Sequence, residues 1–238
     1  MLNPKLNICV LASFFFFGTS SEIEECNFVL TVSRNINKLG FHRDLSYSFE
    51  LITNGVWEEC RLCIEEQIPK GLFVNINQIE DLERFGKISA LVNATDNIEK
   101  PEDESEPQNV KLYTNLTRTF NILTSSVNLP FHFRYHEAQP NGGFKKAVIG
   151  PPSVFMTCLL SPTFCRSNNF VELPCSSEVQ QTCSFQPMNY HINLEYLEID
   201  IPVGDTNHYN LVLFFTLFVT SSGAIYVLTV IVNNKRFD

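Results

Sequence analysis

Apolar and polar residues alternate with a period of two through much of the middle of the chain. Tyr47, Phe49 and Leu51 alternate with Ser46, Ser48 and Glu50, and Phe131, Phe133 and Tyr135 oppose His132, Arg134 and His136. Successive side chains of a strand point to opposite faces, so each run predicts a half-buried strand. Ile192, Leu194 and Tyr196 share one face; the frame then slips and Leu197, Ile199, Ile201 and Val203 take over, which predicts a β-bulge. Phe28–Val32 and Ala147–Ile149 are short apolar runs rich in β-branched residues. Gly, Pro and Asn separate these segments, and the fold class they predict is mainly β, an antiparallel β-sandwich-like domain. One segment has helical spacing. Ile79, Leu82 and Phe85 recur every three residues, and Asn77 is placed to cap a helix with Glu80 at its third position.

The pattern changes at both ends. Lys5 precedes an apolar stretch from Ile8 to Phe17, and Gly18-Thr19-Ser20 supplies small residues for cleavage, so residues 1–20 read as a secretory signal peptide. Residues 211–232 carry no charge. A helix of that length spans roughly 33 Å, enough for a hydrocarbon core of ~30 Å. Residues 233–238 include Lys235-Arg236, a stop-transfer pair that assigns this end to the cytosol and leaves residues 21–210 on the lumenal side. A GPI-attachment signal would run apolar to its last residue, which the charged tail argues against.

Composition sharpens this picture. The chain has 238 residues and a formal net charge of −9. Lys5, Lys235, Arg236 and Asp238 fall outside residues 21–210, so that segment keeps 14 of 17 basic and 25 of 26 acidic residues, near −11. Such an acidic domain lacks the basic face that nucleic-acid binding requires. Cys26, Cys60, Cys63, Cys158, Cys165, Cys175 and Cys183 remain after the signal peptide, and in an oxidising lumen they read as disulfide candidates. Their odd number leaves at least one thiol outside intramolecular bridges. Asn93-Ala94-Thr95 and Asn115-Leu116-Thr117 are glycosylation sequons, and the acidic run Glu99–Pro107 between them reads as a solvated loop.

No constellation for catalysis, cofactor or metal assembles. G-x-S-x-G, H-E-x-x-H and Asp-x-Asp are absent from the sequence, and Asn141-Gly142-Gly143 reads as a hairpin turn. Cys60-Arg61-Leu62-Cys63 is a C-x-x-C, but in a segment with strand character its cysteines point to opposite faces, which favours structural bridges or buried thiols over redox or zinc chemistry. His132 and His136, taken as one strand face, stand roughly 13 Å apart, too far to share a metal ion. The stripe His132, Arg134 and His136 reads instead as a polar strand face able to meet an acidic partner.

Five motifs carry a resemblance. Gly40-Phe41-His42-Arg43-Asp44-Leu45 comes first, then Cys60-Arg61-Leu62, Ile68-Pro69-Lys70-Gly71-Leu72-Phe73-Val74 and Leu129–His136. Ile201-Pro202-Val203-Gly204 stands just before the apolar segment. In this order the chain resembles the PIG-X family. The resemblance implies a non-catalytic endoplasmic-reticulum subunit that binds and stabilises PIG-M, the polytopic catalytic subunit of GPI mannosyltransferase I. That enzyme moves the first mannose from dolichol-phosphate-mannose onto the glucosaminyl-phosphatidylinositol precursor. Candidate partner contacts are Phe41, His42, Arg43 and Asp44, which mix an aromatic anchor with charge. The small-residue stripe of Thr216, Thr220, Gly223 and Ala224 in the apolar segment adds a second. Two alternatives remain from the residues alone: a type I cell-surface receptor or adhesion protein, and a lumenal thiol oxidoreductase using Cys60 and Cys63.

Overall fold

A computed structural model describes residues 28–54, 56–93, 98–161, 169–178 and 181–234. The signal-peptide expectation, Cys26, Cys165 and the Lys235-Arg236 pair lie outside these residues.

Fourteen described strands run in chain order as β1 (Phe28–Asn37), β2 (His42–Thr53), β3 (Glu58–Ile68), β4 (Leu72–Phe73), β5 (Ala90–Asn93), β6 (Gln108–Asn115), β7 (Thr117–Thr119), β8 (Ile122–Phe133), β9 (Gly143–Ile149), β10 (Ser153–Leu160), β11 (Val171–Pro174), β12 (Thr182–Pro187), β13 (His191–Ile192) and β14 (Leu197–Val203). Helix α1 (Ile76–Arg84) follows β4, and helix α2 (Tyr209–Asn234) closes the chain. One sheet has the order β13-β1-β2-β8-β4 with β7 also on β8; a second has the order β11-β12-β10-β3-β6-β5; β14 and β9 form a two-stranded third. Pairing between named strands is antiparallel except for β1 with β13.

The period-two pattern explains the layers. Leu45, Tyr47, Phe49 and Leu51 of β2 face Leu62, Ile64 and Ile68 of β3 and Val110 and Leu112 of β6 across one core, and Ile149, Ile199 and Ile201 of the third sheet close it. Burial of such aliphatic and aromatic side chains contributes about 1.5–3 kcal/mol each before entropy is counted. A smaller cluster lies apart from this core: Cys63, Tyr113, Leu173 and Phe185 pack together.

Three local expectations are corrected. The frame slip at Leu197 is not a bulge: β13 ends at Ile192, the chain bends, and β14 starts in a different sheet, leaving Leu194 and Tyr196 exposed. Helix α1 begins earlier than expected, because Asn75 rather than Asn77 is the cap, accepting hydrogen bonds from the backbone of Asn77 and Gln78. The acidic run is not simply solvated. Glu102–Glu104 form a 3-10 turn, Glu102 pairs with Lys70 at 2.7 Å, and Ser105 is buried with its hydroxyl donating to the Pro101 carbonyl.

The registers give the β domain two ends. The end of β8, the start of β2, the end of β14 and the start of β9 lie together, since His42 and Phe73 pair His132, Val203 pairs Gly143, and Gly71 beside β4 lies against both His136 and Ile201. This is the end from which α2 leaves. The opposite end holds Thr53, Trp57, β7 and Phe120.

Candidate functional site

Most of the sequence-derived candidates in the β domain converge at the α2 end. A groove of about 500 Å³ is lined by Phe41, Phe73, Ile98, His132, Arg134 and Tyr135 among others. His42 and His132 are cross-strand partners with ring centroids 4.4 Å apart, and His132 stacks on Phe73 at 5.0 Å. Its Nε2 lies 3.0 Å from Gln78 Oε1 of α1. Burial, and then the adjacent His42, hold the His132 imidazole below its ordinary range, so it is neutral at neutral pH. Arg43 lies 4.8 Å over the Phe133 ring and donates to the Gly40 carbonyl, while Asp44 pairs with Lys38 at 2.7 Å.

The expected His-Arg-His stripe does not exist as a strand face. β8 ends at Phe133; the Arg134 backbone N–H still makes one more rung by donating to Gly71 just before β4, and the alternation breaks after it. Arg134 is buried, its guanidinium 4.9 Å from the Phe73 ring centroid and donating to the Lys100 carbonyl at 3.0 Å. Tyr135, expected on the buried side, is exposed. His136 turns onto Gly71, where an added Cβ would stand 3.0 Å from its Nε2, and its Nδ1 lies 2.9 Å from the Arg134 carbonyl. That contact makes Nδ1 the protonated nitrogen. Among the described residues no group of three or more His, Cys, Asp or Glu could hold a metal ion.

The entry to α2 is built rather than slack. Gln139 donates its backbone N–H to Gly204 and accepts from Thr206, and Asp205 accepts from the backbone of both Asn141 and Asn207. Asn207 also reaches the Asn141 side chain at 3.2 Å. The turn Gln139–Gly142 supports this because Asn141 and Gly142 adopt φ of +68° and +61°. It was expected as a hairpin turn and serves instead as the seat of the helix.

α2 runs Tyr209–Asn234, slightly longer than the expected segment, and is long and apolar enough to cross a membrane. None of its apolar window is buried against the domain. Thr220 donates to the Thr216 carbonyl and Thr229 to Ile225, so these hydroxyls are satisfied within the helix. A Cβ on Gly223 would meet nothing within 4 Å. Thr216, Thr220, Gly223 and Ala224 thus form an open face where another helix can approach closely.

The cysteines resolve the C-x-x-C. Cys60 bonds Cys158 and Cys175 bonds Cys183. Cys63 is a buried free thiol on the opposite face of β3 from Cys60, and burial pushes it up to about 12. The two residues of the motif therefore cannot form a redox pair, and Cys63 is corrected from the disulfide set. Asn93 and Asn115 are both exposed at strand ends, and Asn115 accepts a hydrogen bond from Arg61.

Sequence reasoning missed a buried polar cluster between the two large sheets. Arg34 of β1 reaches Glu66 of β3 at 3.3 Å, and Tyr47 of β2 donates a hydroxyl hydrogen bond to the same carboxylate. Arg34 also donates to the carbonyls of Gly150, Leu194 and Glu195. Burial pushes the Glu66 carboxyl up to about 7, against the pull of Tyr47 and Arg34. The signal was present: Arg34 continues the inward face of Leu30 and Val32, and Glu66 stands between Ile64 and Ile68 on the inward face of β3.

The family described as PIG-X / PBN1 matches residues 38–232. The chain is 32% identical over 192 residues to a Rattus norvegicus protein named GPI alpha-1,4-mannosyltransferase I, stabilizing subunit, covering 77% of this chain and 74% of that one. The Mus musculus protein of the same name is 32% identical over 192 residues, covering 77% and 73%. The Homo sapiens protein of that name is 28% identical over 218 residues, covering 88% and 82%.

Proposed function

The chain belongs to the PIG-X / PBN1 family, and on that premise we propose that it is the non-catalytic stabilising subunit of a GPI mannosyltransferase I. α2 anchors it as a single-pass type I protein of the endoplasmic reticulum membrane, with residues 21–210 in the lumen as a glycoprotein domain and residues 233–238 in the cytosol. Its partner is the polytopic PIG-M-like subunit, which carries the transfer of the first mannose from dolichol-phosphate-mannose. No cofactor enters this role.

The observation that supports this reading best is the extent of the family match. It runs from the β1–β2 turn through the β domain and on through nearly all of α2, so the likeness is to the anchored whole. The relatives do not favour the alternative of a cell-surface receptor or adhesion protein.

A stabilising subunit acts by binding the folded partner and not its unfolded form, which raises the folded fraction by mass action. Two surfaces suit that task. The open face of α2 at Thr216, Thr220, Gly223 and Ala224 admits a helix of the partner. The groove formed by Phe41, His132 and Arg134, beside His42, Arg43, Asp44 and His136, lies at the same end of the domain. Affinity capture of the tagged full chain in mild detergent tests the reading. It recovers the polytopic mannosyltransferase, and Gly223→Leu, which fills the open face, reduces that recovery several-fold while leaving the chain's own level unchanged. Capture without any mannosyltransferase contradicts it.

A further inference from the structure

The α2 end of the domain carries large apolar side chains that none of the described residues covers. Leu39, at the tip of the β1–β2 hairpin, is 92% exposed, Tyr135 is 80% exposed and Phe144 is 67% exposed. Two connections and the start of β9 supply them, yet the registers bring them to one end. Leu39 lies beyond the pair Asn37 with Asp44, Tyr135 lies just past the end of β8, and Phe144 pairs with Pro202 at the end of β14. The far end also exposes apolar side chains, Phe120 at 90% and Val56 at 50%, so exposure alone does not select an end; what distinguishes this one is the departure of α2.

The position of α2 says what that surface meets. β14 ends at Val203 and α2 begins at Tyr209, and the residues between are fixed to the Gln139–Gly142 turn by the hydrogen bonds around Asp205. A helix that crosses a bilayer from this seat holds the same end of the domain within a few residues' length of the headgroups. The headgroup layer is itself roughly 5–7 Å deep on each side, a depth that large side chains protruding toward it can enter. Aromatic side chains favour that layer, with an apolar body and, for Tyr135, a polar tip.

We propose that Leu39, Tyr135 and Phe144 insert into the membrane interface and form a footing that fixes the tilt of the β domain over the bilayer. The proposal rests on α2 crossing the membrane. Lys38 is paired with Asp44 and Lys70 with Glu102, and Asp103 and Glu106 add negative charge beside Lys70, so the footing depends on apolar contact and not on anionic lipid. A domain held at a fixed tilt presents the Phe41–His132 groove to a neighbouring membrane protein in one orientation, which lowers the ordering cost of binding.

The native chain has one tryptophan, Trp57, buried at the far end. This provides an internal reference for depth. The full chain is reconstituted alone into vesicles of phosphatidylcholine brominated along the acyl chains, and fluorescence is compared with unbrominated vesicles. Leu39→Trp and Phe144→Trp lose emission in the brominated vesicles and shift to shorter wavelength. The native chain and Phe120→Trp, an exposed position at the far end, show no loss. If neither Leu39→Trp nor Phe144→Trp is quenched beyond Trp57 alone, the proposal is overturned and the rim belongs to a protein surface. Alkaline carbonate extraction of the same samples reads α2 independently: protein that stays with the vesicles while Leu39→Trp goes unquenched means that the anchor holds and the footing does not.

Discussion

Replacing Arg34 with Met removes the cation from the cluster that ties the two large sheets together. The side chain is fully buried and bonds Glu66 and three carbonyls drawn from Gly150, Leu194 and Glu195. Methionine keeps most of the volume, so the loss is polar and not a cavity. Measured well above pH 7, where Glu66 is ionised beside Arg34, breaking a buried pair by removing one partner costs about 3–5 kcal/mol, because the remaining carboxylate must stay buried without its counter-ion or take up a proton that the solvent no longer readily supplies. That is a large share of the ~5–15 kcal/mol that holds a typical domain. Glu66→Met strands Arg34 in the same way, whereas Arg34→Met with Glu66→Met removes both charges together. The double variant is therefore less damaged than the two costs added, by about 1–3 kcal/mol. Urea unfolding of the full chain in detergent micelles, followed by Trp57 fluorescence, gives the four midpoints of the cycle. Additive costs, or a loss below ~1 kcal/mol for Arg34→Met, refute the reasoning and reduce the cluster to polar filling.

Further outcomes follow from the same interior. Glu66 binds its proton more tightly when folded, so its contribution to stability is complete below about 4.5 and is lost as pH rises through about 7. A urea-midpoint profile against pH shows this slope in the native chain and not in Glu66→Gln. Cys60→Ser with Cys158→Ser opens a loop with a sequence separation of 98, and the stability measured by urea falls by about 4–5 kcal/mol. Cys63 resists maleimide in the folded protein and reacts only on unfolding, as intact-mass measurement before and after urea shows, since burial keeps its thiol protonated.

Strands with one face buried were legible because a period of two is a local property: β2 and the first half of β14 follow their alternation residue by residue. The uncharged segment of α2 was legible for the same reason. What failed depended on where a strand stops. Nothing in His132–His136 itself shows that the ladder stops after Arg134 bonds Gly71, so an apparent stripe became one buried and one turned-away side chain. The slip at Leu197 was seen, but a change of sheet and a bulge look alike in one dimension. The bridges of Cys60 and Cys175 depend on strand order, which alternation does not encode. Arg34 and Glu66 were visible as charges on inward faces, and their pairing emerges only when β1 and β3 are stacked. The near-end groove was half legible: the motifs naming Phe41 and His132 were recognised, and their cross-strand pairing required the β2–β8 register.

In the role proposed above, this chain serves by sustaining another. Removing it from cells and following the half-life of the polytopic mannosyltransferase subunit, alongside surface levels of GPI-anchored proteins, tests that most directly. A shortened half-life with depleted surface anchors, both restored by the full chain and not by its β domain fused to an unrelated membrane helix, is the expected result. An unchanged half-life with normal surface levels contradicts the account.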